Sequence, residues 1–225
     1  VLAPGYAEFD LPDGPHRFEL TVRGDGPVRI FGALLARSVP GVVVDTLGIN
    51  GARVRNQLYW EEDLARAHLA RRDPHLVVLA YGTNESTDID VPIESYEADL
   101  RAVLARVRGT LPAASCLLIG PSDRPIPRRN DTPPWIDRPR THEIIATQRR
   151  VAADTGCGFF DLVAFMGGPL SMVAWAEASP PLGALDHVHL THAGYVRLGE
   201  VLLAALLSGA PDLAAQVAEA RPAER

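Results

Sequence analysis

The sequence predicts an α/β domain on a parallel sheet, preceded by a short antiparallel β stretch, and three observations predict it. Continuous apolar runs of the sort buried on both faces of a parallel sheet recur at Val42 to Leu47, Leu76 to Ala80, Cys116 to Ile119 and Phe159 to Leu162. Between and after them, Trp60 to Ala70, Ile93 to Val107, Thr141 to Ala153 and Ala193 to Leu207 place apolar residues at the three-and-four spacing of amphipathic helices. Before Pro40-Gly41 the patterning has period two instead.

Taken in order, Ala7 to Leu35 alternates apolar and polar residues in short bursts, with Phe18, Leu20 and Val22 on one face. Asp13-Gly14 and Asp25-Gly26 fall between the bursts as hairpin signals, because a type I′ turn needs positive φ at both central residues. Residues 1–40 therefore read as the end of an antiparallel β-domain and 41–210 as the α/β domain. Residues 211–225 read as an Ala-rich, charged tail. Alternating strand and helix over 41–210 gives the layered architecture. Pro121 to Pro139, rich in Pro, Arg and Asp, reads as a long surface loop, and Met166-Gly167-Gly168 as a tight bend. Cys116 and Cys157 each lie in a short apolar run and read better as small buried thiols, with a disulfide permitted in an exported protein and the redox compartment left open.

Composition narrows the function classes. With 47% hydrophobic and 22% charged residues the chain is too apolar for disorder. A net charge of −6 without a dense Lys/Arg cluster argues against a nucleic-acid partner. No run approaches the roughly 18 apolar residues of a membrane span.

Functional groups collect at the carboxyl ends of parallel strands, so the residues that follow each run carry the chemistry. They are Gly48-Ile49-Asn50-Gly51, Gly82-Thr83-Asn84-Glu85 and Gly120-Pro121-Ser122-Asp123, with Asp186-His187-Val188-His189 just before the last helix. A carboxylate three residues before a histidine can hold one ring nitrogen while the other faces a nucleophile, which makes Asp186 and His189 the candidate orienter and base. Helix capping is the plain alternative, but Thr191 is the better capper. His187 and His192 are rival bases. An Asn84 amide after its strand suits an oxyanion, or else its own turn. Gly51 can add a backbone N–H, or serve only as an ordinary turn glycine. A zinc site from Asp186, His187, His189 and His192 fits less well, because the histidines crowd one loop. Trp135 and Trp175 read as loop residues near this face, able to stack on a sugar ring or to pack.

A turn glycine, then Gly-x-Asn-Glu, then Asp-x-x-His before the last helix resembles conserved blocks two, three and five of the SGNH (GDSL-type) hydrolases, over Gly41 to about Leu207. The resemblance implies a three-layer flavodoxin-like sheet, His189 as general base, Asp186 as its orienter, Gly51 and Asn84 as oxyanion donors, and no metal or other cofactor. Glu85 departs from the usual Asp at a position that is mainly structural in the family. The first block, Gly-Asp-Ser, is missing; Gly24-Asp25-Gly26 reads only as a turn, and Ser86, Ser122 and Ser171 do not follow a first strand. The nucleophile is thus unassigned within the chain and expected on a segment upstream of Val1. In the order 2-1-3-4-5 that segment's strand would lie between the runs at 42–47 and 76–80.

Peptidoglycan O-acetylesterases with a jelly-roll-like insertion between the first two blocks resemble the passage from Phe31-Gly32 to Gly51. That points to an exported serine esterase of the periplasm or cell envelope acting on an acylated carbohydrate. An O-acyltransferase of the same fold and a serine-less carbohydrate-binding module are the alternatives.

Overall fold

The computed structural model describes residues 5–37, 39–128 and 132–208, and the chain divides between Gly48 and Ile49 into two units. In the first unit, residues 5–37 and 39–48 form neither helix nor strand, and their side chains are exposed. Among the described residues the alternating bursts form no strand ladder. Arg37 and Asp13 pair at 2.6 Å on this exposed surface. The expected strand at 42–47 is corrected, since Val42 is 89% exposed and the run forms no strand. Apolar content makes a run worth burying, but its N–H and C=O groups also need a row of partners. Among the described residues no strand lies beside this run to supply that row.

The second unit holds the sheet. Its strands are β1 (Leu76–Ala80), β2 (Ser115–Ile119) and β5 (Gly158–Phe160), all parallel in the order β1-β2-β5. Leu76 stands opposite Ser115, and Leu117 opposite Gly158. Among the described residues β1 pairs on one side only. A second, two-stranded antiparallel ladder joins β3 (Ile126–Pro127) to β4 (Trp135–Ile136) within the Pro-rich connection.

Four helices follow the predicted pattern with shifted ends, α1 (Glu62–Arg72), α2 (Ile93–Thr110), α3 (Pro139–Thr155) and α6 (His192–Leu207), while α4 (Leu162–Met166) and α5 (Ser171–Glu177) form where no helix was expected. In α1, Glu61 caps the first turn by accepting from the Asp63 and Leu64 N–H groups. In α2, Tyr96, Leu100, Val103, Leu104 and Val107 line one buried face. That face meets Leu79 and Leu118 of the sheet and Ile144 and Val151 of α3 in one core. Leu162, Met166, Met172, Trp175 and Leu190 form a second core, against Ile119 and Phe160. Trp175 is thereby corrected from a loop residue to a core residue of α5, its indole N–H donating to the Met166 carbonyl at 2.9 Å. Cores of this kind lose about 2–5 kcal/mol per Leu→Ala change.

The cysteines are also corrected. Cys116 and Cys157 precede paired residues on β2 and β5, which brings their Cα atoms to 4.8 Å, and they form a disulfide. Closing 41 residues stabilises the fold by about 4 kcal/mol in the chain-entropy account. Sequence alone does not show strand register, so the two positions could not be seen to face each other.

A candidate active site at the strand ends

Asn84 lies on the loop that leaves β1, Gly51 on a turn ahead of the 3-10 segment Val54–Tyr59, and Asp186 and His189 on the loop before α6. After β1 the chain turns at Gly82, whose φ is +118° and whose missing Cβ would stand 2.9 Å from Ile144 Cγ2, so glycine is demanded there. The Gly82–Ser86 turn is then locked from within. Ser86 donates its N–H to the Gly82 carbonyl at 2.8 Å and its hydroxyl to the Thr83 carbonyl at 2.8 Å.

Glu85 holds this turn from below and is 5% exposed. Its Oε1 accepts from the Val54 N–H at 2.7 Å and its Oε2 from the Gly82 N–H at 3.0 Å. Burial pushes its carboxyl above the usual range, against the pull of those backbone donors. The loop is further clamped by Arg53, which meets Asp88 through two bonds of 2.6 Å and holds that carboxylate below its ordinary value.

Asn84 and Gly51 come together. The Asn84 side-chain amide donates to the Ala52 carbonyl at 2.9 Å, leaving its second N–H without an acceptor among the described residues. Gly51 sits at φ +75° in a turn closed by the Ala52 N–H on the Ile49 carbonyl, and nothing lies within 4 Å of where its Cβ would be. Two N–H donors therefore stand on adjoining loops.

Asp186 and His189 form the expected pair. His189 Nδ1 lies 2.6 Å from Asp186 Oδ2, while Asp186 Oδ1 accepts from the backbone N–H groups of Val188 (2.9 Å) and His189 (3.0 Å). The His189 contact and those amides pull the Asp186 carboxyl down to about 2. An ionised carboxylate only accepts, so Nδ1 carries the proton and Nε2 is left as the basic nitrogen. Nε2 has no partner among the described residues, and the imidazole is 70% exposed. His187 is separated from this role because its ring stacks on Trp135, with centroids 4.2 Å apart. Thr191 caps α6 through the Gly194 N–H, as expected.

Ser122, which the sequence placed at a strand end without a role, and Arg124, which it missed, bind these loops together. The Ser122 hydroxyl donates to the Val188 carbonyl at 3.3 Å, and its N–H donates to Thr83 Oγ1 at 3.3 Å. Arg124 donates to the Thr83 carbonyl at 3.1 Å. The loop after β2 thus bridges the Asn84 loop and the Asp186–His189 loop. Its signal was the polar Ser122-Asp123 pair after an apolar run. Ser86, Ser122 and Ser171 are all at most 7% exposed, and Ser122 gives its hydroxyl to a carbonyl rather than to an imidazole. Among the described residues no three His, Cys, Asp or Glu side chains converge as a metal-holding group, and no helix is long and apolar enough to cross a membrane.

The family model described as GDSL-like lipase/acylhydrolase matches residues 14–197. The chain belongs to that family. Among solved structures, this GDSL-like chain is similar to one titled as a peptidoglycan O-acetylesterase in action, at 31% identity and a TM-score of 0.65, covering 72% of this chain and 45% of that one. It thus spans less than half the length of that relative. An acetyl xylan esterase, AlAXEase, shares the fold at 18% identity and a TM-score of 0.50, covering 70% of this chain and 78% of its own. No curated protein matches the sequence. The parallel sheet with its flanking helices is the α/β architecture expected of that family.

Proposed function

We propose that this chain supplies the base and oxyanion half of a serine esterase that deacetylates a cell-wall or related carbohydrate, with the nucleophilic serine on a segment N-terminal to Val1. The carrying observation is the 2.6 Å contact of His189 Nδ1 with an ionised Asp186, which leaves Nε2 open toward solvent. The serine hydroxyl attacks the ester carbonyl while Nε2 takes its proton. The oxyanion is met by the Gly51 N–H and the second Asn84 N–H, donors worth on the order of 3–4 kcal/mol where single ones have been removed. Collapse expels the sugar alcohol, which receives the proton from Nε2. Water then attacks the acyl-enzyme by the same route, releasing acetate and the serine.

Two features support the placement of the serine, and a third bears on the compartment. β1 offers a free edge among the described residues, and its Val78 is 45% exposed. α6 carries exposed Tyr195, Val196, Val201, Leu203 and Leu206. The disulfide suits an oxidising compartment, in keeping with a periplasmic or envelope enzyme. The carbohydrate substrate and the acetyl group rest on the peptidoglycan O-acetylesterase relative. Joined to its serine segment, the protein is expected to hydrolyse a small chromogenic acetyl ester, and His189→Ala to abolish turnover. Activity that survives His189→Ala removes the assigned base. A natural upstream segment without a serine block would favour the binding-module alternative.

A further inference from the structure

We propose that Trp135 is a positioning residue that acts through His187 to hold the Asp186–His189 pair in register. This rests on the esterase reading only for its catalytic consequence. The pair needs such help because it is exposed: the imidazole is 70% and the Asp186 side chain 50% accessible. An ion-pair-like contact in water is worth about 0–1 kcal/mol, too little to fix a loop by itself.

The loop is anchored unevenly. Beyond His189 it is tied down by a bridge between Gly183 and Leu190, with the Ala184 N–H on the His189 carbonyl at 2.8 Å. On the near side the backbone passes through His187 at φ +54°, a left-handed conformation at a non-glycine residue. That conformation is strained for a residue with a side chain. It is also what turns both the Val188 and the His189 N–H groups onto Asp186 Oδ1. His187 must be kept there, and its ring is held against Trp135 at 4.2 Å with a 35° tilt.

Trp135 is the first residue of β4, so the stack fastens the base loop to the hairpin. Ser122 fastens the same stretch one residue later, through the Val188 carbonyl. The long Pro-rich connection is therefore a buttress of the base loop, and Trp135 is its contact point.

The test reads the tautomer of His189 by long-range proton–nitrogen NMR at about pH 9, well above the ordinary imidazole range. In the full chain the Asp186 contact holds the proton on Nδ1, whereas a released imidazole favours Nε2–H. Trp135→Ala is expected to move His189 toward Nε2–H, and Trp135→Phe, which keeps an aromatic face, to restore Nδ1–H. His187→Gly adopts the left-handed turn freely but has no ring, and is expected to behave like Trp135→Ala. In an active form, Trp135→Ala should lower kcat by about 10–10² with KM changed less than twofold. Retention of Nδ1–H in Trp135→Ala or in His187→Gly overturns the proposal, as does identical behaviour of the Ala and Phe variants. An Nε2–H tautomer already in the unmodified chain would instead sink the base assignment itself. The two failures are thus distinguishable.

Discussion

Glu85 and Asp186 are both loop carboxylates that accept from backbone N–H groups, yet their surroundings drive them in opposite directions. Glu85 is nearly fully buried, gives one oxygen to each of two backbone donors, and is pushed above the usual carboxyl range by burial. Asp186 is half exposed, gives one oxygen to two backbone donors and the other to an imidazole, and is pulled down to about 2. The contrast separates a group that builds the turn beneath Asn84 from one that sets which nitrogen of His189 is basic. Chemical type and strand-end position do not make that distinction; burial and the identity of the partner do.

The largest expected effect tests the imidazole side of the contrast. Asp186→Asn should cut kcat by about 10⁴ through the wrong tautomer while shifting the melting temperature by only a few degrees. Steady-state kinetics beside a thermal melt would check it. Asn84→Ala comes next and sharpens the comparison, because Asn84 is the chain neighbour of Glu85. It should lower kcat by about 10²–10³ with KM nearly unchanged, as expected of a donor that acts on the transition state. Glu85→Ala should act on stability instead, orphaning two buried N–H groups at about 1–3 kcal/mol each, read as a lowered urea midpoint. Glu85→Gln should lose less, since its amide still offers one acceptor.

The smallest effect is in pH, and the two residues carry opposite signs. Asp186 has a lowered folded value, so its contribution is present above about pH 4 and is lost as pH falls toward 2. Solvent screening keeps the amount under about 1 kcal/mol. Glu85 has a raised folded value, so stability falls as pH rises from the ordinary carboxyl value through the raised one. Urea midpoints across pH should show that decline in the unmodified chain and not in Glu85→Gln. A decline that persists in Glu85→Gln would assign it to another group.

The sequence was legible where information is local. Helix spacing located α2, α3 and α6 to within a few residues, and Asp-x-x-His needs only its own loop to close, so that pair could be read directly. Asn84 and Gly51 were legible as types at strand ends, but their meeting through the Ala52 carbonyl is a tertiary event. What failed was non-local. Val42–Leu47 and Leu76–Ala80 both open on consecutive branched apolar residues, and among the described residues only the second has a strand beside it. Register hid the Cys116–Cys157 bond for the same reason. The stack of His187 on Trp135 joins residues 52 positions apart in the chain, and no periodicity announces it.

The free edge of β1 also has a bearing on handling the molecule. Among the described residues no strand lies on the outer side of β1, and beside exposed Val78 such an edge is a template for a foreign strand, which natural proteins normally blunt with charge, proline or a bulge. Leu76-Val77-Val78-Leu79-Ala80 has none of these. The chain in isolation should therefore self-associate as its concentration rises, and a short apolar peptide able to lie along that border should act as a solubiliser.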